Sequence, residues 1–256
     1  MRSDGQSNPE PILIAVDAAM QPASVAVMQG QGVVEIRTAI PELRTDAWLS
    51  PAIDDCLRAA GLEFSEIDGF AVTTGPGTFT GIRVGLATCL GLATPRRLPV
   101  AGVLTLEALA AMGCAGGAAW IAPCIDARRE QVYGALYHLE AGCVLPFEAA
   151  IEPIVADPAA FAEAVSGLTP TPLLLGTGTR YFASPDAGQE NATAELTRVP
   201  ESFVLGTLSE PLAVSAGRLV ARAWTLEGPS GCRAPEPNYI RQADARVGRN
   251  PLLAGT

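Results

Sequence analysis

The stretch that decides the fold is residues 67–103, IDGFAVTTGPGTFTGIRVGLATCLGLATPRRLPVAGV. An apolar run at residues 69–72, followed by two threonines, predicts a buried strand. A glycine-rich loop at residues 75–81 comes next, and residues 80–94 then predict a helix that ends before a proline. A second strand is predicted at residues 99–102. Two strands joined through a helix form the crossover unit of a parallel sheet.

The predicted helix at residues 80–94 is apolar on nearly every side, and Arg83 is its one charged residue. A surface helix normally presents a single apolar stripe, so this helix must be covered on more than one side. Two alternatives stay open: the helix is enclosed within its own domain, or one face meets its own sheet and the other meets a partner. A membrane span is excluded, because a bilayer needs about 20 apolar residues.

The overall composition is that of a compact, acidic α/β protein. Of the 256 residues, 48% are apolar and 17% are charged, which excludes a disordered chain. The net charge is −10, so we expect no unaided binding to nucleic acid. Residues 1–10 are polar and lack the apolar core of a signal peptide, and they predict a disordered arm.

The cysteine and histidine content argues against a metal centre. The six cysteines lie far apart without a C-x-x-C motif, which is typical of free thiols in a reducing cytoplasm. His138 is the only histidine, so a site built from paired histidines is excluded and a Ser-His-Asp triad would have to use this residue. We therefore expect no metal, no cofactor and no catalytic set.

The order β-β-β-α-β-α occurs twice along the chain. The first copy adds strands at 12–16, 24–28 and 33–36 and a helix at 46–60 to the central stretch. The second copy has strands at 120–125, 131–139, 143–149 and 173–175 and helices at 157–165 and 211–226. This repeat predicts two similar α/β lobes, followed by a Pro- and Arg-rich tail that packs back in part through Tyr239 and Ile240. The predicted limits are 11–115, 116–227 and 228–256.

An aspartate ends the first strand of each copy, Asp17 in the first and Asp126 in the second. Ligands of open α/β sheets bind outside the carboxyl ends of the strands, so the two carboxylates could hold a metal–phosphate between the lobes. Neither aspartate is followed by the glycines that would let a phosphate approach the backbone. The favoured interpretation is that each carboxylate accepts hydrogen bonds from nearby backbone N–H groups.

The loop before the central helix is a second candidate for an anion. Free N–H groups at a helix start would favour a phosphate near Gly75, Gly77, Thr78 and Gly81, and a nucleotide contact would combine these residues with Asp17. The loop lacks the lysine of a Walker motif and the G-x-G-x-x-G spacing. The alternative is a tight turn in which glycines supply special dihedral angles and a threonine caps the helix.

Five segments of the chain resemble the bacterial TsaB (YeaZ) family: ILIAVDAAMQPASVAVM, TTGPGTFTGIRVGLATCLGLA, PVAGVLTLEALA, PCIDARREQVYGALY and EPNYIRQA. The similarity covers residues 11–243, and GPGTFTGIRVG is a specific signature. The resemblance implies a two-lobed, actin-like ASKHA fold, in agreement with the repeat. It also implies a role in the biosynthesis of threonylcarbamoyladenosine, the modified base beside the anticodon of ANN-decoding tRNAs.

The family is similar to its own catalytic partner, TsaD, which carries a metal-binding histidine pair after the equivalent of the strand at 99–102. Here a threonine and a leucine of the stretch 102–109, GVLTLEAL, stand where those histidines would fall. The resemblance therefore implies a non-catalytic paralogue that lost the metal and pairs with TsaD. The ATPase TsaE would complete the assembly, tRNA would be reached only through it, and a homodimer is an alternative when TsaD is absent.

The resemblance also implies that TsaD binds two helices of the first lobe. The helix at 46–60 has a broad apolar surface like the central helix, although Pro51 leaves its start open, because Ser50 and Pro51 would also suit the beginning of a shorter helix. The expected interface comprises the residues on these two helices that carry the excess apolar surface and the one cation: Trp48, Leu49, Ala52, Cys56, Arg83, Leu86 and Leu90.

Two other functions stay open. A stand-alone enzyme, either an ATP-binding phosphotransferase or a metallopeptidase of the actin-like class, would use the two strand-end aspartates and the loop at 75–81. A direct tRNA binder would use the arginines of residues 233–249, against the net charge. Two departures from the family pattern weaken a nucleotide contact: RTDAW at 44–48 lacks the usual histidine, and AAMQPA at 18–23 lacks the usual threonine and serine.

Overall fold

The computed structural model describes residues 10–40, 43–114, 119–139, 147–182 and 203–240. The predicted arm, except its last residue, and the part of the predicted tail after Ile240 lie outside these ranges. Two five-stranded mixed sheets and five α-helices make up the described part.

The first sheet has the strand order β3-β2-β1-β4-β5. Strands β1, β4 and β5 run parallel, and β2 is antiparallel to both of its neighbours. The inner strands are apolar and buried on both faces, as strands covered by helices on two sides must be. Their bounds are β1 Ile12–Asp17, β2 Ser24–Gln29, β3 Gly32–Thr38, β4 Gly69–Thr73 and β5 Val100–Val103.

The second sheet repeats this order as β8-β7-β6-β9-β10. Each strand has the same position as its counterpart five strands earlier, so the predicted duplication is confirmed. The strands are β6 Ala119–Arg128, β7 Gln131–Leu139, β8 Ala149–Ala156, β9 Leu173–Leu175 and the two-residue β10 Val204–Leu205, which the sequence did not predict.

Strand β8 differs from its predicted position at residues 143–149. Residues 143–146 lie outside the described part, and the observed strand begins at Ala149, where the prediction ended. The observed segment contains Pro153, and proline cannot donate to a sheet ladder. The strand lies at an edge of the second sheet, where one side of the backbone needs no partner in the sheet.

The helices are α1 Thr45–Ala60, α2 Phe79–Ala93, α3 Thr105–Cys114, α4 Pro158–Val165 and α5 Leu212–Glu227. Helices α1 and α2 cover one face of the first sheet, and α4 covers the far face of the second. Between the sheets, α5 packs on β1, β2 and β4, while α3 packs on β6, β7 and β9. This is the two-lobed, actin-like arrangement that the resemblance implied.

The exchange of helices between the copies ties the two sheets into one interior. Helix α3 follows the first sheet in sequence but packs on the second, and α5 does the reverse. Gly217 of α5 lies so close to β1 and β2 that an added Cβ would stand 2.9 Å from the Cβ of Ala15 and 2.8 Å from Cγ of Met28. The limits proposed for the two lobes, residues 11–115 and 116–227, stay a prediction.

The helix ends follow the sequence in two informative places. Helix α1 takes the longer of the two alternatives and keeps Pro51 inside, at the cost of one backbone hydrogen bond, and it ends on Gly61 in the left-handed region with φ 69°. Asp157 caps α4 as predicted, since its carboxylate accepts from the N–H of Ala159. Among the described residues, no helix combines the length and apolar character that a bilayer span requires.

Candidate functional site

Asp17 lies at the end of β1 and is almost completely buried. Its Oδ1 accepts hydrogen bonds from the Thr73 hydroxyl at 2.6 Å, from the Ala19 N–H at 3.1 Å and from the Met20 N–H at 3.4 Å. Burial raises the pKa of Asp17 from 3.8 to about 6, and these hydrogen bonds oppose the rise. Its Oδ2 has no hydrogen-bond partner among the described residues. The interpretation that this carboxylate holds the backbone of the following loop is confirmed.

The loop before α2 is packed against the chain that follows β1. The Thr78 N–H donates to the Ala19 carbonyl at 2.8 Å. An added Cβ would come within 2.3 Å of that oxygen at Gly77 and within 1.8 Å of the Ala18 oxygen at Gly81. Two backbone carbonyls therefore occupy the space in front of the helix start, where free N–H groups would otherwise favour an anion.

Two further predictions for this loop were a glycine with a special dihedral angle and a threonine that caps α2. Gly75 adopts φ 106°, a conformation that side chains disfavour, so its special dihedral angle is confirmed. Thr78 stands at the N-cap position of α2, but its side chain makes no capping hydrogen bond. The predicted phosphate contact of this loop stays a prediction, and it would require residues 18–19 to move.

Asp126, the counterpart of Asp17, lies at the rim of the second sheet in a network of side chains. Its Oδ1 accepts from the Arg128 N–H and from the Tyr181 hydroxyl, both at 2.9 Å. Its Oδ2 lies 3.1 Å from Nη2 of Arg180 and 3.7 Å from Nη1 of Arg128. The interpretation that this aspartate accepts from nearby backbone is confirmed here too, and two arginines now share its charge.

The turn after β6 has an unusual backbone. Arg128, Arg129 and Glu130 have φ values of 62°, 55° and 56°, so three consecutive residues other than glycine adopt the left-handed region. This region costs roughly 1 kcal/mol or more for each such residue. All three side chains are exposed, and the turn directs the chain so that Arg128 lines the space between the two sheets.

A cavity of about 1170 Å³, here called the interlobe cleft, lies between the two lobes. It opens at the carboxyl ends of β1 and β4 on one side and of β6 and β9 on the other, where ligands of open α/β sheets bind. Its walls are mainly apolar. The charged residues that line it are three arginines and one aspartate: Arg83, Arg128, Arg180 and Asp126.

Residues 232–240, here called the strap, close the first-lobe side of this cleft. The Gly102 N–H donates to the Arg233 carbonyl, and the Asn238 N–H donates to the Thr74 carbonyl, each at 2.8 Å. The guanidinium of Arg233 binds both carboxylate oxygens of the buried Glu107, at 2.7 and 2.9 Å. The strap therefore lies across the ends of β4 and β5.

Tyr239 brings the strap into contact with α2. Its hydroxyl accepts from Nε of Arg83 at 3.2 Å, and its ring lies 5.2 Å from the ring of Phe79. The Arg83 guanidinium stacks 3.7 Å above the centre of the Phe79 ring. The prediction that the tail packs back through Tyr239 is confirmed, and Ile240 lines the cleft.

Apart from the contact of Tyr239 with Phe79 and Arg83, the described residues leave the outer face of α2 uncovered. Phe79 is 41% exposed and Leu90 is 42% exposed, with the exposed Arg83 and Ala87 between them along the helix. The spacing of these residues, four, four and three, places them on one side of the helix. Of the two alternatives for this helix, the observed exposure contradicts full enclosure within its own domain.

Comparisons with known proteins agree with one another. A family model described as TsaD, tRNA N6-adenosine threonylcarbamoyltransferase, matches residues 40–248. The tRNA threonylcarbamoyladenosine biosynthesis protein TsaB of Escherichia coli strain K12 is 32% identical over 233 residues, which cover 90% of this chain and 94% of that protein. The chain belongs to the TsaB (YeaZ) family. The TsaB protein of Bacillus subtilis strain 168 is 28% identical over 51% of this chain and 56% of its own length.

Solved structures of TsaB-family proteins share the fold. YeaZ from Pseudomonas aeruginosa matches with a TM-score of 0.68 and 25% identity, over 90% of this chain and 99% of that one. A structure described as an uncharacterized Pseudomonas aeruginosa protein with similarity to peptidase YeaZ matches with a TM-score of 0.68 and 27% identity, over 90% and 100% of the two chains.

The interface residues expected for a TsaB-family member do not share one environment. Trp48 is half-buried, and Arg83 and Leu90 are exposed. The other four lie in the interior of the first lobe and have no surface for a partner: Leu49, Ala52, Cys56 and Leu86. The interface stays a prediction, and in this structure only the first three could contribute side chains to it.

Helix α1 explains this outcome. Most of its apolar side chains pack on the sheet and on neighbouring parts of the first lobe, while Trp48 is half-buried, Ala59 is exposed and the rest of the outer side is polar. Arg58 forms ion pairs there with Asp54 and Asp55. The two helices therefore use their many apolar residues differently. In α2 several of these residues are exposed, whereas in α1 most of them pack between layers of the first lobe.

The remaining sequence candidates are peripheral. His138 is exposed, and its ring lies 4.7 Å from the ring of Trp120. Within the described ranges, no group of three or more His, Cys, Asp or Glu residues could hold a metal ion. Sequence reasoning missed the contacts of Arg180 and Tyr181 with Asp126, because β9 and β6 become neighbours only through long-range pairing. The one available signal was the glycine-rich loop that follows each copy of this strand.

Proposed function

We propose that this chain is a non-catalytic subunit of threonylcarbamoyladenosine biosynthesis, which acts in the cytoplasm by pairing with a TsaD-type partner. The names of its relatives as tRNA threonylcarbamoyladenosine biosynthesis proteins support the pathway. TsaE would join the fuller assembly, and tRNA would be reached only through the complex. The contact with the TsaD-type partner would form on the outer face of α2.

The uncovered face of α2 carries this proposal. Its exposed residues are an aromatic ring, an arginine and aliphatic or small side chains, in place of the charged residues that usually cover a helix surface. Protein interfaces are enriched in aromatic residues and arginine, and their centres are depleted of other charges. Arg83 is also held in place by Phe79 and Tyr239, so little conformational entropy would be lost when a partner binds.

The non-catalytic part of the proposal rests on what the candidate groups already do. Asp17 holds the loop after β1, and the carbonyls of residues 18–19 fill the space before α2. Thr105 and Leu109, in the segment where the resemblance places the histidines of TsaD, are both fully buried. These contacts support a framework role for groups that would carry chemistry in an enzyme.

A stand-alone phosphotransferase or metallopeptidase is the alternative, and Asp126 is the observation that favours it, because this carboxylate lines the cleft. Both of its oxygens already have partners, so a metal–phosphate would have to displace Arg180 or Tyr181. Calorimetry of the full chain with Mg-ATP separates the two functions. Tight binding together with turnover of ATP would support the alternative.

Replacing Leu90 by aspartate tests the proposed contact. Leu90 is 42% exposed and Leu208, in the loop before α5, is 43% exposed, so Leu208→Asp is a matched control. We expect Leu90→Asp to weaken the complex with the TsaD of the same organism at least tenfold, about 1.4 kcal/mol, because the interface would then bury an unpaired charge. Leu208→Asp should leave the affinity unchanged.

Surface plasmon resonance with immobilised TsaD measures this difference, and thermal unfolding checks that both variants fold. Equal affinity of the Leu90→Asp variant and the wild type would contradict the proposed face. The chain alone should also be examined by analytical ultracentrifugation, because a homodimer through the same helix would compete with TsaD. In that case Leu90→Asp would also shift the chain towards monomer.

A further inference from the structure

The two sheets have four edge strands, and β3 differs from the other three. Strand β5 is hydrogen-bonded to the strap, because the Gly102 N–H donates to the Arg233 carbonyl. Strand β8 contains Pro153, and β10 has only two residues. Strand β3 has seven residues, and within the described ranges β2 is the only strand that pairs with it. An uncovered edge of this length can pair with a strand of another chain.

The backbone groups of Ile36, near the middle of β3, face the open edge of the sheet. Its carbonyl accepts a hydrogen bond from Nη1 of Arg37 at 2.7 Å. Its N–H contacts the carboxylate of Glu35, whose pKa is lowered mainly by the hydrogen bond from Arg37 and also by this N–H. A residue with both groups directed outward can exchange two hydrogen bonds with the residue opposite it on an added antiparallel strand.

The charges on β3 are self-complementary about Ile36. Glu35 and Arg37 pair with Val27 and Val25 of β2, which belong to the core beneath α1, so both charged side chains lie on that face of the sheet. If a second copy aligned its own Ile36 opposite this one, Glu35 of each copy would lie opposite Arg37 of the other. Opposite charges in directly opposed positions stabilise strand pairing, and like charges destabilise it.

We propose that two copies of this chain associate through β3 in antiparallel orientation, with a two-fold axis at Ile36. The two five-stranded first sheets then form one sheet of ten strands. A second copy is the expected occupant because the charge pattern of β3 is its own complement, as a two-fold interface requires. In the single chain Glu35 and Arg37 form an ion pair with each other. Each exchanges that partner for the same group of the other copy, so no charge loses its partner.

This surface is separate from the proposed partner face on α2. Helix α1 packs on β2 and β3, whereas α2 packs on β4. A dimer through β3 therefore leaves the outer face of α2 accessible, and a complex with a TsaD-type partner would contain two copies of each chain. The contact is short, since a strand extends only about 3.4 Å per residue. We therefore expect weak association that depends on protein concentration.

Sedimentation equilibrium of the full chain, over a concentration series up to about 1 mM, measures the association. Glu35→Arg gives the edge two arginines, and Arg37→Glu gives it two glutamates. Each variant then opposes like charges and should dimerise at least tenfold more weakly than the wild type. The double variant Glu35→Arg/Arg37→Glu retains the complementary pattern and should recover dimerisation. Arg97→Glu, at an exposed position just before β5 on the opposite edge of the sheet, changes the net charge as Arg37→Glu does and should dimerise as the wild type does.

A mixture of the two single variants gives the sharpest test. The two arginines of one variant would lie opposite the two glutamates of the other, so heterodimers should exceed either homodimer when one variant carries a fluorescent label. Charged side chains that only shield the edge from association would show no such preference. Leu90→Asp should leave this dimer intact, since the change lies on α2. Thermal unfolding checks that every variant folds.

Four results would overturn the proposal. The wild type could stay monomeric throughout the concentration series, or the two single variants could dimerise as strongly as the wild type. The mixture of the single variants could form no heterodimer. Loss of the dimer in the Leu90→Asp variant would place the contact on α2 instead of β3. None of these results bears on whether a TsaD-type partner binds α2, which is measured separately with that partner present.

Discussion

Asp17 is the last residue of β1, whereas β6 continues past Asp126 to Arg128, so Asp126 lies just inside its strand, and the surroundings of the two carboxylates differ. Asp17 is buried, bonded to Thr73 and to the backbone of its own loop. Asp126 lies at the cleft, bonded to Tyr181 and near two arginines. The duplicated fold thus preserves strand order without preserving chemistry: the first copy stabilises the structure, and the second leaves charged groups accessible to a ligand.

The glycines after the two copies of the parallel strand show the same contrast. After β4, a Cβ at Gly81 would stand 1.8 Å from the Ala18 carbonyl oxygen. After β9, a Cβ at Gly178 would stand 3.0 Å from the carbonyl carbon of Cys124. At Gly176, directly after β9, an added Cβ would stand 2.3 Å from the Cys124 carbonyl oxygen, so both strand ends contain a close backbone approach and the closest one is at Gly81. We therefore expect the first strand end to tolerate change less than the second, and three experiments test this.

The largest effect is expected for Gly81→Ala. Its methyl group would overlap a backbone oxygen that cannot move aside without breaking the contact between the two loops, so we expect a loss of about 3 kcal/mol or more in the free energy of unfolding. Gly178→Ala should cost less, about 1 kcal/mol, because its neighbours need to shift by only a few tenths of an ångström. Urea denaturation of the purified variants measures both.

Gly91→Ala is the control on the same helix. Nothing lies within 4 Å of the added Cβ, so alanine should stabilise the helix by up to about 1 kcal/mol. Equal losses for Gly81→Ala and Gly178→Ala would show that the two strand ends are equally constrained, against the comparison made above.

The pH dependence of stability gives the second test. Burial raises the pKa of Asp17 from 3.8 to about 6 in the folded chain, so between these values the folded state binds more protons than the unfolded state. The contribution of Asp17 to the free energy of unfolding is therefore fully present below about pH 3.8, decreases as the pH rises, and is lost above about pH 6. The difference corresponds to between about 2 and 3 kcal/mol.

Asp17→Asn removes this titration while keeping the size and one carbonyl oxygen of the side chain. The stability advantage of the wild type over the variant should therefore shrink by that amount between pH 4 and pH 7. Asp126→Asn leaves Asp17 in place and should retain the slope that Asp17 causes. Parallel stability curves for the wild type and Asp17→Asn would show that burial does not perturb Asp17 in this way.

The fold could be predicted from the sequence because its signals are local and repeated. Apolar runs of strand length and a proline after the central helix fixed β1, β4 and α2 to within a residue or so. The repeat predicted two similar lobes, and the crossover unit predicted the parallel pairing of β4 and β5. What could not be predicted was the exchange of α3 and α5 between the sheets, because an apolar helix does not show which sheet it will cover.

The candidate site was less predictable, for the same physical reason. The sequence identified both aspartates and the glycine-rich loop, but whether a carboxylate is buried or faces a cleft depends on neighbours from distant segments. Thr73 and Asp17 are hydrogen-bonded although they lie 56 positions apart in sequence, and Tyr181 and Asp126 lie 55 positions apart. Three of the four predicted partner residues of α1, Leu49, Ala52 and Cys56, are buried because their side chains pack between two layers of the first lobe.

Thr73 and Tyr181 offer the smallest and most direct comparison, since each gives one hydroxyl hydrogen bond to its aspartate, at 2.6 Å and 2.9 Å. Thr73→Val leaves a fully buried carboxylate without its side-chain donor, so we expect a loss of about 2 kcal/mol at pH 7. Tyr181→Phe removes a donor from a carboxylate that keeps its arginine partners, and should cost about 1 kcal/mol or less.

Urea denaturation at pH 7 and pH 4 separates the hydrogen bond from its effect on ionisation. The hydroxyl of Thr73 lowers the pKa of Asp17, so its loss should raise that pKa further. The penalty of Thr73→Val should therefore be greater at pH 7, where the ionised carboxylate needs the donor, than at pH 4, where Asp17 carries a proton. Equal losses in the free energy of unfolding for Tyr181→Phe and Thr73→Val at pH 7 would contradict this comparison. The two hydroxyl hydrogen bonds would then stabilise the two strand ends equally.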